Sequence, residues 1–285
     1  MKIGIIGRGF VGNAINNCFS CDSNYLAKIK IYDINPKLSS HSLEETVNQS
    51  EIIFLSVPTP SNTDGSINLE IVDDILSRIN KIIKVKNIIL LKSTVIPGST
   101  ENFLNNYKKL NIVFNPEFLT EKNANEDFLN QSRIILGGYK NDTEIAAKLY
   151  RWRFQNKIPI VQTNFQTAEL IKYMNNTFLA TKVSFMNEMF LIAKKINADW
   201  DKALEGFTLD ERVGLSHVNV PGHDGKFGFG GSCLPKDIQA LIKFSKDLDI
   251  DTKVLQAAWS TNLKLRPERD WEKLKGRAVV DKDID

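Results

Sequence analysis

Cysteine and histidine are scarce in this sequence, with three of each among 285 residues. Cys18, Cys21 and Cys233 are too few, and odd in number, for a disulfide framework. Cys18 and Cys21 form a CFSC spacing, but no second Cys or His pair is placed to complete a metal or redox site. Both are expected to be incidental, at the end of a helix and in the loop after it. Histidines without ligand spacing imply no metal. Long apolar runs are missing as well. None approaches the roughly 20 residues that a membrane helix needs. Met1-Lys2 leads straight into IGIIG, a buried-strand pattern and not a secretory leader. Charge of one sign is also lacking: 37 basic and 34 acidic residues leave +3, too little and too evenly spread for nucleic acid or an anionic membrane. There is no internal repeat and no low-complexity segment. Together these absences point to a cytoplasmic globular protein of one or two domains.

What is present is an ordinary core-forming composition, 42% hydrophobic and 25% charged. Short runs rich in Ile and Val at 2–7, 28–33, 51–57, 87–94, 111–117 and 133–138 read as buried strands ending at Gly, Pro, Asp or Ser. Helical patterns fit between them, such as Leu69 to Ile83 and Asp142 to Phe154. The alternation implies parallel βαβ units and a doubly wound α/β sheet. From about residue 165 the pattern changes. Thr167 to Asn197 is one long helical stretch with no Gly or Pro, and helices are expected at Lys236 to Leu248 and Thr252 to Leu274. Such a helix suits a connecting spine or a dimer surface.

Gly7-Arg8-Gly9-Phe10-Val11-Gly12 fits GxGxxG after a strand and at the start of a helix. The glycines allow a tight turn and close approach of backbone to a pyrophosphate, and the helix N-terminus favours the phosphates. Asp33, about 20 residues on at the end of the next strand, is the acid that bonds ribose hydroxyls and repels a 2′-phosphate, favouring NAD. The turns Ser56–Pro60 (with Thr59), Lys92–Gly98 (with Thr94) and Asn115–Glu121 follow later strands and point to the same crevice at the carboxyl ends of the sheet. The stretch GFGGSCLPKD, 228–237, sets Cys233 behind a glycine-rich loop, at a helix start and near a lysine. That environment lowers a thiol pKa and prepares a nucleophile.

Six ordered motifs, GRGFVG, SVPTP, KSTVIPGST, NPEFLTE, AELIKYMNNTFLATKVSFMNE and GFGGSCLPKD, resemble the UDP-glucose/GDP-mannose dehydrogenase family over essentially the whole chain. The resemblance implies a Rossmann-like NAD-binding domain over 1–165 and an all-helical central and dimerisation domain over 166–275. It implies NAD-dependent oxidation of the C6 alcohol of a nucleotide sugar to a carboxylate, through a thiohemiacetal and a thioester on Cys233. Lys172 would stabilise the developing oxyanion or help remove the hydroxyl proton. Asn176, one helical turn on, would bond the same oxygen. Asp237 would hold Lys172 and a water that Thr94 also positions, and Glu117 would serve as base in hydrolysis. The cofactor would meet Gly7, Gly9, Phe10, Val11, Gly12, Asp33, Thr59, Thr94, Glu121 and Lys236. The substrate would meet Glu117, Phe118, Leu119, Lys172, Asn176, Phe229 and Gly230, with Arg212 of DERVG reaching the sugar of a neighbouring subunit in a homodimer.

The chain departs from the family in places. Members usually continue into a second nucleotide-binding domain, and 276–285 reads as its truncated start. Leu38 stands where the family often has a basic residue after the strand-end acid, and VNVPGHDGKFGFGG is longer than in some subfamilies. UDP-glucose is the leading substrate. GDP-mannose, a UDP-N-acetylhexosamine, or a non-catalytic NAD-binding dimerisation module remain alternatives. A simple β-hydroxyacid dehydrogenase would share the fold and a catalytic lysine but would not need Cys233.

Overall fold

A computed structural model describes residues 1–20 and 26–281. Cys21 and residues 282–285 lie outside the described residues. The chain forms two compact units, Met1–Thr59 with Leu69–Lys172, and Pro60–Asn68 with Tyr173–Asp285.

The first unit is a seven-stranded sheet. Its strands are β1 (Lys2–Ile6), β2 (Lys28–Tyr32), β3 (Ile52–Leu55), β4 (Ile88–Leu91), β5 (Ile112–Phe114), β6 (Ile134–Gly137) and β7 (Ile160–Thr163), in the spatial order β2-β1-β3-β4-β5-β6-β7. Around it lie α1 (Phe10–Ser20), α2 (Leu43–Asn48), α3 (Glu70–Ile82), α4 (Ser99–Asn106), α5 (Ala124–Leu129) and α6 (Lys140–Phe154). The strands read as continuous apolar runs because both faces are covered. Ile52 and Phe54 of β3 pack with α1, α5 and α6, while Ile53 and Leu55 pack with α2, α3 and α4. A capping box starts α2: the Ser42 hydroxyl accepts from Glu45 N, and the Glu45 side chain accepts from Ser42 N.

Two features differ from the sequence expectation of an all-parallel sheet. Strand β6 pairs with β5 antiparallel. Short α5 packs with α1 on one face instead of carrying the chain across the sheet, so the chain returns beside β5 in the opposite sense. Strand β7 was not expected at all. It is an edge strand with its two middle residues exposed, so IVQT carries no buried run to betray it.

Among the described residues, the regular structure of the second unit is helical apart from isolated bridges. The long helix α7 (Phe165–Lys195) begins in the first unit, and the division falls inside it, between Lys172 and Tyr173. Thus the division lies about two turns beyond residue 165. At 31 residues α7 is about 46 Å long. It is followed by α8 (Trp200–Thr208), α9 (Leu234–Asp247) and α10 (Lys253–Leu265). The expected helix to Leu274 stops at Leu265. Pro267 disfavours helical backbone in the residue before it, and Arg266 takes φ −128°, ψ 66°. Residues 278–280 join this unit by pairing with Ser61, whose N donates to Ala278 O and whose O accepts from Val280 N, both at 2.9 Å.

The glycine loop is held from three sides. Gly228 N donates to Asn187 Oδ1 at 3.1 Å, and Phe229 N to Asn262 Oδ1 at 2.7 Å. A Cβ on Gly230 would lie 2.5 Å from the Arg266 guanidinium. That guanidinium, 2% exposed, forks onto Asp270 at 2.8 and 2.6 Å and also reaches Asp224 at 2.5 Å. The Arg266 hydrogen bonds, with Lys226 in support, hold the Asp270 carboxyl down at about 2.

Two outcomes are expected. Phe54, fully buried between Phe19 and Tyr150, should cost about 3–5 kcal/mol on truncation to Ala, read by urea unfolding. Asp270→Asn should cost about 1–2 kcal/mol at neutral pH, after discounting for a side chain 27% exposed. Because the folded carboxyl titrates below its unfolded value, that stability is present above about pH 4 and is lost as pH falls through about 2. The gap between native and variant should therefore close over that window in acid unfolding.

Candidate active site

Gly7 closes β1 with φ +89°, and a Cβ there would sit 2.6 Å from Ser56 O. A Cβ on Gly12 would strike the Gly7 carbonyl oxygen. Around Gly9 nothing lies within 4 Å of that position. One glycine therefore makes the turn, one lets α1 pack against it, and one leaves room for a pyrophosphate at the N-terminus of α1. Asp33, just after β2, faces this turn: its Oδ2 accepts from Arg8 N at 2.7 Å and its Oδ1 from Asn35 N at 2.8 Å. Each oxygen keeps a lone pair for a ribose hydroxyl. Val11 is core, so only its backbone can meet a cofactor. Phe10 and Glu121 line one cleft of about 290 Å³ with Asn13, Lys122 and Asn123. Thr59 and Thr94 are buried, and Ser93 Oγ donates to Val57 O at 2.7 Å, tying together the turns after β3 and β4. These residues fit a dinucleotide without a 2′-phosphate.

At the carboxyl end of β5 lies a buried ion pair. Lys172 of α7, 2% exposed, donates from Nζ to Glu117 O at 2.6 Å and to Glu117 Oε1 at 2.9 Å. Glu117 Oε2 accepts from Leu119 N at 2.7 Å. Lys172 Nζ is 5.4 Å from the centre of the Phe118 ring, over which the Arg133 guanidinium also sits, at 4.2 Å. Lys92 joins this cluster, which sequence reasoning missed because it lay inside a turn motif. The available signal was a lysine ending an all-apolar strand, IILLK. Burial pushes the Lys92 ammonium down to about 7, helped by Lys172 and opposed by Glu117.

In the second unit Cys233 is the N-cap residue of α9, with Pro235 in the first turn. The thiol is partly exposed, and Ser232 Oγ lies 3.8 Å from Sγ. Asp237, 1% exposed, is gripped by two groups: Asn176 Nδ2 donates to Oδ2 at 2.6 Å, and Lys236 Nζ donates to Oδ1. The fold therefore brings Asn176, Lys236 and Asp237 together one turn from Cys233. The Phe229 side chain is core beside Trp259, and its backbone N and O are both bonded to the Asn262 side chain, so the backbone of Gly230 is the part of this pair left to face a substrate. Arg212 is exposed and chelated by Asp210, at 2.9 and 2.5 Å, in the loop after α8. Lys182 pins that loop, donating to Val213 O, Gly214 O and Ser216 O at 3.0, 2.9 and 2.6 Å. Burial, then Lys182 and His223, lower the His217 pKa. Among the described residues no His, Cys, Asp and Glu cluster is placed to hold a metal, and no helix is long and apolar enough to cross a membrane.

Residues 33–153 match the family model for the UDP-glucose/GDP-mannose dehydrogenase family, NAD binding domain, and residues 166–264 match that family's central domain. A UDP-glucose 6-dehydrogenase from Rickettsia bellii is 36% identical over 100% of this chain and 71% of its own length. A UDP-glucose dehydrogenase from Pyrobaculum islandicum superposes with TM-score 0.81 at 29% identity, covering 92% of this chain and 68% of that one. A 3-hydroxyisobutyrate dehydrogenase from Mycobacterium tuberculosis, 15% identical, superposes at 0.74 over 94% of each chain and shares the fold alone. With one domain match over 33–153 of the sheet unit and the other over 166–264 of the stretch that carries the cysteine loop, the chain belongs to the UDP-glucose/GDP-mannose dehydrogenase family of NAD-dependent oxidoreductases.

Proposed function

We propose that this protein oxidises the C6 alcohol of UDP-glucose to the carboxylate, with Cys233 as covalent nucleophile. The observation that carries the reading is the placing of Cys233 at the N-cap of α9, behind a glycine loop and one turn from the Asn176–Asp237–Lys236 cluster. The helix N-terminus favours the thiolate. Bound NAD supplies the hydride acceptor in each of two oxidations. Lys172 stabilises the alkoxide oxygen of the substrate as its proton leaves, and Asn176 donates to the same oxygen. The Cys233 sulfur then adds to the aldehyde carbon, forming a thiohemiacetal. Loss of a second hydride from that carbon gives a thioester. Water positioned by Thr94 and Asp237 attacks the thioester, with Glu117 accepting its proton, and the carboxylate departs as the C–S bond breaks and the thiol is restored.

Phe118, Leu119 and the backbone at Gly230 would line the sugar, and Arg212 would reach it from a second subunit. A homodimer is supported by an apolar stripe along α7: Met174, Phe178, Phe185 and Ile192 are exposed at spacings that keep them on one face. A nucleophilic thiol also needs a reducing compartment, which favours the cytoplasm.

The native chain should form two NADH per UDP-glucose, and Cys233→Ala should form none while binding NAD and unfolding within about 0.5 kcal/mol of the native chain. Turnover that survives in Cys233→Ala, or a panel in which only GDP-mannose or a UDP-N-acetylhexosamine is oxidised, would replace this reading. Phe178→Glu should convert the dimer to a monomer in sedimentation velocity. A native chain that sediments as a monomer refutes the α7 interface.

A further inference from the structure

Lys92 follows Leu91, the last residue of β4, and is 3% exposed. The chemistry proposed above makes no use of it. Its Nζ donates to Asn115 Oδ1 and to Pro116 O, both at 3.2 Å. Those two acceptors immediately precede Glu117. Asn115 is fixed on its other sides as well. Its Nδ2 donates to Ile135 O of β6 at 2.9 Å, and its Oδ1 also accepts from Tyr150 OH of α6. The Phe128 ring of α5 lies 5.8 Å from Lys92 Nζ. The turn that presents Glu117 is thus clamped from β4, β6 and α6, and Lys92 is the ionisable member of the clamp that carries a positive charge.

The charge balance matters more than the bonds. Lys92 and Lys172 are two buried lysines beside one buried carboxylate, Glu117. One buried cation beside one buried anion can be held; a second buried cation close to the first is repelled by it. Burial and Lys172 push the Lys92 proton off, and Glu117 holds it on, so that it titrates at about 7. Tyr150, the other ionisable group against this turn, stays a neutral phenol because burial raises its pKa.

We propose that Lys92 is a positioning residue for the reaction: it fixes the Asn115 side chain and the Pro116 carbonyl in the turn that presents Glu117 to Lys172, and its charge is coupled to the charge of that pair. This rests on the reading that Glu117 and Lys172 serve the oxidation. The charge on Lys92 interacts with both members of the Glu117–Lys172 pair. The reaction should therefore feel the Lys92 titration although Lys92 touches no reacting atom.

Lysine side-chain titration by ¹³C NMR on the full chain tests the coupling without needing turnover. The native protein should show a lysine titrating near neutrality, well below the ordinary value of about 10.4. That signal should vanish in Lys92→Met. Its midpoint should rise in Lys172→Met, where a like charge is removed, and fall in Glu117→Gln, where the counter-charge is removed. A native chain with no lysine titrating below about pH 9 overturns the inference, even if every variant fails to fold. A midpoint unmoved in both folded variants overturns it too. With UDP-glucose, Lys92→Met should lower kcat on the order of tenfold or more, with KM little changed, and lose the limb of the pH profile near neutrality. A kcat scaled down with the profile intact would mark a purely structural lysine and sink the proposal. A coupled titration in a chain that oxidises no nucleotide sugar would uphold the coupling while removing the function proposed for the pair.

Discussion

An ammonium and a carboxylate, Lys172 and Glu117, meet almost without water at the end of β5. Taking two charges out of water costs several kcal/mol for each ion, and their attraction offsets this only when the remaining lone pairs and protons are satisfied. The fold meets that condition. Lys172 Nζ uses both Glu117 O and Oε1, and Glu117 Oε2 takes the Leu119 N–H. The consequence is mechanical as well as electrostatic. Within the first unit, the start of α7 is locked to the turn that follows β5. Glu169, one turn earlier on the same helix, binds Gly98 N at 2.6 Å and Thr100 N at 2.9 Å, locking α7 to the start of α4 as well.

The second unit obeys the same rule with different residues. Arg266 is buried, so it must have carboxylates, and Asp270 and Asp224 supply them. Its guanidinium then occupies the space where a side chain at position 230 would stand, which is a physical reason for a glycine there. Asp237 is buried, so it must have donors, and Asn176 and Lys236 supply them. Lys236 therefore spends its charge on Asp237, and the N-terminus of α9 favours a thiolate at Cys233.

The dinucleotide turn depends on backbone geometry. A positive φ at Gly7, a close approach at Gly12 and an open side at Gly9 are three separate demands that only glycine meets together in so short a span. Asp33 is drawn into the same turn by Arg8 N, which places the acid beside the space left open for phosphate.

The alternation of strands and helices, the glycine turn with its acid, the long uninterrupted helix and the motifs around Lys172, Asn176 and Cys233 were all readable in order along the chain. They depend on local properties: a period of two or 3.6, a φ that glycine alone adopts freely, a thiol at a helix start. Even where the pattern misled, as in the helix expected to run to Leu274, a local rule at Pro267 explains the stop. The reversed direction of β6, the edge strand β7, the Arg266 clamp on the glycine loop and the place of Lys92 beside Glu117 were decided by tertiary structure alone. Strand direction depends on which helix packs on which face. The state of a lysine depends on whether distant residues exclude water around it and which charges they bring. IILLK states that a lysine ends a buried strand; only the folded chain, by bringing Asn115, Glu117 and Lys172 to that point, turns it into a charge that must be shared.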